Sequence, residues 1–441
     1  MADNITLPAS GIGSATPVVA TRQLAGKHYQ RVFTRGDDGP GNDSMGRLRT
    51  AHPTMLFGIQ NEYPNPVLWE AQATGTGTYE IRTAEASLRF STGGTLTGAA
   101  MTSQTRAYMR YPLGRSLLIR MGFVMSAPQT NGVVEFGYND IDDGIFLQRS
   151  GTAVAFVFRT SVTGSPVDTT IPQASWNIDP LNGTGDSGIT LDLTKAQILV
   201  IDVQHLGIGR VRIGFSMGGQ IIYCHEILNQ QDSTTASWST GSLPLRLKVW
   251  NNGAAGGIVT IDPISVVVMV EGGHPPDEGD ESHIRWSKNS GNTGIVLSET
   301  MKPVLSIRAA SKYGGTANGT IENHGWILPT QTSVAVLANG HSYFEVVKNA
   351  TLTNANWTAV DATSLADYDV SADGMSGGVV ISSGYILGDD VGEMSDDNGW
   401  GVISRLVYGK LTSTADSLTI SARTLTGAGT AYGVMSWAED Y

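Results

Sequence analysis

Residues 176–226 set three Ile- and Val-rich runs, 197–203, 209–215 and 220–225, almost end to end, with Gly207, Gly209, Gly218 and Gly219 at their boundaries. β-Branched side chains are stiff at χ1 and pack best on a pleated surface. Glycine at each boundary supplies the backbone freedom that tight hairpin turns need. Two hairpins in succession make an antiparallel sheet whose pairings are all local. A turn-rich loop, from Asp179 to Gly188, leads into it.

The same texture extends over residues 53–273. Strand-like runs fall at 79–83, 86–90, 117–125, 133–138, 145–149, 154–159, 243–250 and 257–271. The run 117–125 alternates poorly and reads as buried on both faces. No helical period exceeds a turn or two, and a single helical turn is expected over 192–197. Ten or more short strands without helices predict a two-sheet sandwich, jelly-roll-like or lectin-like. Residues 272–281 carry two prolines and an acidic run, which marks a linker. A second strand series comes next at 304–309, 334–338, 343–347, 379–387, 402–407 and 418–422, with an aromatic-containing tail at 432–437. The predicted chain is therefore all-β: an extended N-terminal arm (1–50), a large sandwich (51–273), a linker (274–283) and a smaller sandwich (284–441). In the arm, His28, Gln30 and Val32 alternate with Tyr29, Arg31 and Phe33, which predicts one strand. A lone strand is unstable in water, so the arm is expected to dock on the body or on a neighbouring subunit, with a disordered arm as the alternative.

Composition narrows the function. The net charge of −12 disfavours sequence-independent nucleic-acid binding, which needs Lys and Arg to replace phosphate counterions. One cysteine, Cys224, allows no intramolecular disulfide. No apolar run approaches the roughly 20 residues that span a bilayer, and the first residues show no secretory signal. No P-loop, dinucleotide fingerprint or G-x-S-x-G elbow is present, and His205, three residues after Asp202, has no nucleophile to serve. Cys224, His225 and Glu226 are adjacent on one strand, so Cys224 and His225 point to opposite faces and cannot share a ligand. The run Asp140-Ile-Asp-Asp-Gly144 offers Asp140, Asp142 and Asp143 as candidate Ca²⁺ ligands. An Asp-rich turn with Gly144 at positive φ accounts for the same residues. Residues 388–399 carry five carboxylates, with Asp389 and Asp390 as further cation candidates and a solvated loop as the plainer alternative. No cofactor is expected. The tryptophans are spread singly, as packing residues would be, though a carbohydrate-stacking platform is an alternative use.

Val18-Val-Ala-Thr21 and Gly26-Lys-His-Tyr-Gln-Arg-Val32 resemble an N-terminal opening shared by many tailed-bacteriophage virion structural proteins. Arg22 and Gln23 stand where that opening is usually acidic, Ala25 replaces a glycine, and Phe33 replaces a common Lys. The resemblance continues through Tyr111-Pro-Leu-Gly-Arg-Ser116, Leu191-Asp-Leu-Thr194, Leu206-Gly-Ile-Gly-Arg-Val-Arg212 and Tyr343-Phe-Glu-Val-Val347. It implies a non-enzymatic virion component, tail-, baseplate- or fibre-associated, forming a homo-oligomer (a trimer or ring) with other virion proteins. His28, Tyr29, Gln30, Arg31, Val32 and Phe33 would form the anchoring arm. The alternatives are a capsid decoration or head-fibre protein, or a carbohydrate-binding protein that recognises a host surface glycan.

Overall fold

Strand-forming alternation closes two separate cores in the computed structural model. The structure describes Asn4–Thr6, Val18–Leu24, Lys27–Gln30, and residues 53–111, 114–204, 208–230, 234–271, 283–338, 340–387, 390–395 and 405–440. All named sheets are antiparallel, and the one helical element among the described residues is a 3₁₀ turn at Gln173–Ser175. No described helix is long and apolar enough to cross a membrane.

The first sandwich faces an eight-stranded sheet with a seven-stranded one. The eight-stranded sheet runs Gln220–Ile227, Val211–Met217, Gln197–Val203, Ser116–Met125, Thr260–Glu271, Ser87–Ser91 and Thr78–Arg82, with Thr54–Gln60 also paired to Thr260–Glu271. The seven-stranded sheet runs Val167–Pro172, Ala153–Thr160, Gly144–Ser150, Gly132–Asn139, Leu245–Asn251, Ala100–Thr105 and Trp69–Thr74. Alternate residues fill the space between: Ile119, Met121 and Phe123 from one sheet meet Phe136, Leu245 and Leu247 from the other. Phe123 packs edge-on against Phe136 with ring centroids 5.2 Å apart, and Trp176 stacks on Phe156 at 4.1 Å. Cys224 is buried in this core, and its carbonyl accepts the amides of Ile178 and Asp179.

Ser116–Met125 alternates poorly because its sheet is covered behind as well as in front. Leu118, Val200, Ile221 and Tyr223 form a second, smaller apolar layer on the outer face. Within that layer Arg212 donates to Asp202 at 2.7 Å, Tyr223 donates to the same oxygen at 2.6 Å, and the guanidinium lies 4.1 Å from the Tyr223 ring centroid. Both charged side chains are 0% exposed.

The second sandwich sets Trp326–Ala338 and Gly429–Asp440 against a six-stranded sheet centred on Lys302–Ala309 and Ser417–Thr424. Trp437 is its largest fully buried side chain. Its indole donates at 2.9 Å to Glu439, whose carboxylate also takes the Ser364 hydroxyl and the Leu365 amide.

Several elements differ from expectation. The arm is not one strand: Lys27–Gln30 pairs with Val18–Leu24, which also pairs with Asn4–Thr6, so backbone groups are satisfied locally. His28, Tyr29 and Gln30 lie in this small sheet, whereas Arg31, Val32 and Phe33 lie outside the described residues, as do His205 and most of the expected linker. Residues 192–196 form a turn, in which Asp192 accepts from the Thr194 amide and hydroxyl, rather than a helical turn, and Gln197 already opens the strand. Part of the expected acidic loop is a strand, Asp390–Ser395, paired along Gln331 to Val336. In the expected strand 402–407, residues 402–404 lie outside the described residues and Leu406 makes only a bridge to Ile327.

The Asp202–Arg212 pair gives the first prediction. Replacing Arg212 by Ala strands a buried carboxylate and should cost about 3–5 kcal/mol, read as a lowered midpoint in urea unfolding. A loss below about 1 kcal/mol, the level of an exposed pair, would contradict the burial.

Candidate binding cleft

The side chains that do not enter the first core line the outer face of the seven-stranded sheet. In the strand Leu245–Asn251, Leu245, Leu247 and Val249 point inward, so Arg246, Lys248 and Trp250 point out. Register places Gln104, Thr102 and Ala100 beside them, and Glu70, Gln72 and Thr74 one strand further on. These rows, apart from the buried Glu70, floor a cleft of about 430 Å³ walled by Tyr108, Asp140, Ile141, Lys410 and Leu411. Arg246 donates through Nη1 to Gln104 Oε1 at 2.8 Å, and the amide of Gln104 donates to Glu70 at 2.8 Å. The Lys248 ammonium sits 4.7 Å from the Trp250 ring centroid.

One wall belongs to the second sandwich. Its hairpin, Tyr408–Gly409 paired with Thr414–Ala415, lays residues 410–412 against the first. Glu70 is buried, and each of its oxygens accepts two hydrogen bonds. One takes the Gln104 amide group and the Leu411 N–H at 2.9 Å; the other takes the Thr412 N–H at 3.0 Å and the Thr412 hydroxyl at 2.8 Å. A Cβ at Gly409 would lie 2.6 Å from the same carboxylate, so a side chain there would displace Glu70 from its donors. Arg106 of the first sandwich pairs with Asp416 of the second at 2.8 Å, both largely buried. Tyr108 stacks on His324 with centroids 4.5 Å apart, and Thr240 hydrogen-bonds the His324 Nδ1 at 3.0 Å.

The Asp140–Gly144 run lies at this seam. Asp140 accepts the amides of Asp142 and Asp143, which closes the turn. Asp143 is taken by the amides and hydroxyls of Ser161 and Ser239. Lys410 approaches Asp142 at 3.3 Å and Asp140 at 3.7 Å. Gly144 has φ +134°, and a Cβ there would strike Asn139. Asp140 and Asp142 thus share Lys410, while Asp143 is held by Ser161 and Ser239. Among the described residues no three His, Cys, Asp or Glu side chains are grouped to hold a metal ion. Asp389 lies outside the described residues, and Asp390 opens a strand.

His225 and Glu226 are also accounted for. The His225 Nδ1 accepts the Asn177 amide, and Glu226 pairs with Arg210 at 3.3 Å. Sequence reasoning does not single out Arg246, Lys248 and Trp250 as a site, although the alternation Leu-Arg-Leu-Lys-Val-Trp carries the signal.

No family model matches the chain, and no curated protein matches it. Among solved structures it is similar to a Bacillus licheniformis β-glucanase, at 14% identity and a TM-score of 0.32, over 50% of this chain and 98% of that one. It is also similar to the VIP36 exoplasmic/lumenal domain (12%, TM-score 0.31, 52% and 95%). A legume lectin-like domain from Entamoeba histolytica is a third (9%, TM-score 0.30, 51% and 100%). At these values none of those proteins' activities transfers to this chain.

Two predictions test the seam. Replacing Glu70 by Ala leaves the Leu411 and Thr412 amides without their acceptor, at about 1–3 kcal/mol for each buried group left unpaired. Amide exchange across residues 408–415 should then accelerate while the first core stays protected; unchanged exchange would refute the clamp. Burial lowers the His324 pKa, as does Lys410, against the opposing pull of Asp140, Glu322 and Asp142. The unfolded chain therefore takes up the proton first, at about pH 6.5. The resulting stability is complete above that pH and is lost as pH falls through the lower folded value. His324→Gln should flatten the pH dependence of unfolding below about pH 6.5, and an unaltered profile would contradict this placement.

Proposed function

We propose that the chain is a non-enzymatic structural subunit of a tailed-phage virion that recognises a saccharide through the cleft on its first sandwich. The observation that carries the saccharide part is the cleft itself. Planar amides (Gln72, Gln104), a hydroxyl (Thr102), cations and the edge-set aromatics Tyr108 and Trp250 line one preformed groove. Such a mixture suits ligands that present hydroxyls and apolar ring faces together. Glycoside hydrolysis usually calls for two carboxylates flanking the bond. Asp140 is the one carboxylate among the described lining residues, and its side chain is engaged by two backbone amides and Lys410.

The virion part rests on the HYQRV-containing arm and the resemblance that runs through both sandwiches. Under this reading the protein acts in the particle, tail- or fibre-associated, as a homo-oligomer among other virion proteins. The closely packed seam between the sandwiches suits a part that bears load outside the cell.

A glycan array probed with the intact protein, with and without Ca²⁺, is expected to return hits. An empty array under both conditions would overturn the saccharide reading. Deleting residues 1–35 should leave the two sandwiches folded, with thermal unfolding unchanged, yet exclude the protein from particles assembled in its presence. Normal incorporation of the truncated chain would overturn the arm's anchoring role.

A further inference from the structure

We propose that the ligand of the cleft is an acidic saccharide, one whose carboxylate is met by Lys248 and the guanidinium of Arg246. This rests on the saccharide reading and names its chemical class.

A buried cation at the floor of the cleft has no direct ion pair among the described residues. Arg246 is 7% exposed, and no carboxylate among the described residues lies within ion-pair distance of it. Its Nη1 donates to the neutral Gln104, and its buried Nε has no hydrogen-bond partner among the described residues. A buried cation is normally paired, because desolvation is costly. Three other arginines of this protein obey that rule: Arg212 has Asp202, Arg106 has Asp416, and Arg89 has Asp262 at 2.6 Å, whereas Arg149, away from the cleft, meets only the Ser126 carbonyl among the described residues. Arg246 departs from it at the floor of a cleft.

Lys248, two residues along the same strand and on the same face, repeats the pattern. It is half-buried, has no ion-pair partner among the described residues, and lies against the Trp250 ring. Glu135 stands across the ladder from it but holds Gln148. Desolvation depresses the pKa of both cations, with Glu135 opposing the effect at each, Asp140 also opposing it at Arg246, and Arg159 adding to it. The third cation of the cleft, Lys410, is already matched to Asp140 and Asp142. Two cations in one strand thus face the cleft of a chain whose net charge is −12. An arriving carboxylate would complete both: a planar acceptor suits the guanidinium fork, and the more exposed ammonium is positioned to make first contact. Trp250, whose ring carries Lys248 at 4.7 Å, adds an aromatic surface to the cleft lining beside them.

The test is a glycan array of matched backbones in acidic form, bearing uronate or sialate, and in neutral form as methyl esters, probed with the intact protein at low and raised ionic strength. Acidic members should bind about tenfold or more tighter than their esters, and that advantage should shrink as salt rises. Lys248→Gln, at a half-buried position that tolerates a polar side chain, should erase most of the difference. Arg246→Gln is the second variant, with retained folding checked by thermal unfolding. Preference for neutral members, or an acid-to-ester ratio unchanged in a folded Lys248→Gln protein, would overturn the acidic assignment and leave the saccharide reading standing. No binding to any member would overturn both.

Discussion

A carboxylate withdrawn from water must have its lone pairs met, and the donors that meet those of Glu70 come from two places. One strand neighbour, Gln104, is fixed by the sheet of the first sandwich; the other donors are the backbone and hydroxyl of a hairpin in the second. Satisfying one buried charge therefore positions one sandwich against the other. The same contact sets Lys410 and Leu411 beside the outer face of the seven-stranded sheet, turning an exposed β surface into a cleft. Arg106–Asp416 and Tyr108–His324 reinforce the seam. Removing the hairpin's amides would leave Glu70 as costly as any stranded internal charge.

The two faces of the seven-stranded sheet divide the work. Alternation drives Leu245, Leu247 and Val249 into a core that they share with Phe136 and Phe123, where close packing fixes the strand. Because the inward residues are held, the outward ones are held too. Arg246, Lys248 and Trp250 are presented on a stiff platform, and a preformed site loses less ordering entropy on binding than a loop would. The eight-stranded sheet shows the contrast. Its outer face carries its own apolar layer, in which Asp202 and Arg212 compensate each other.

Much of the fold was legible in the chain. Runs rich in Ile and Val, bounded by glycine, located the strands Gln197–Val203, Val211–Met217 and Gln220–Ile227, because hairpin pairing is local and its signals are local. The poor alternation of 117–125 correctly signalled a strand covered on both faces. What misled was context. Asp390–Ser395 looked like a solvated acidic loop, yet an available sheet edge pairs its backbone. Of the expected strand at 402–407, the described part makes one bridge, Leu406 to Ile327. In the arm, one strand was visible where three pair.

The site divides along the same line. Asp140–Gly144 was visible because acidic turns are conspicuous, and its local chemistry, an Asp side chain closing a turn before a glycine at positive φ, needed nothing beyond the run itself. Sequence by itself determined the all-β class, the hairpin order and which residues of Leu245–Asn251 share a face, since a period of two is a property of neighbouring residues. Only the tertiary structure decided that Arg246 meets no carboxylate among the described residues, that Lys410 meets two, and that Glu70 joins residues more than three hundred positions apart. Charge compensation depends on which distant segments meet, and that is settled by packing rather than by spacing.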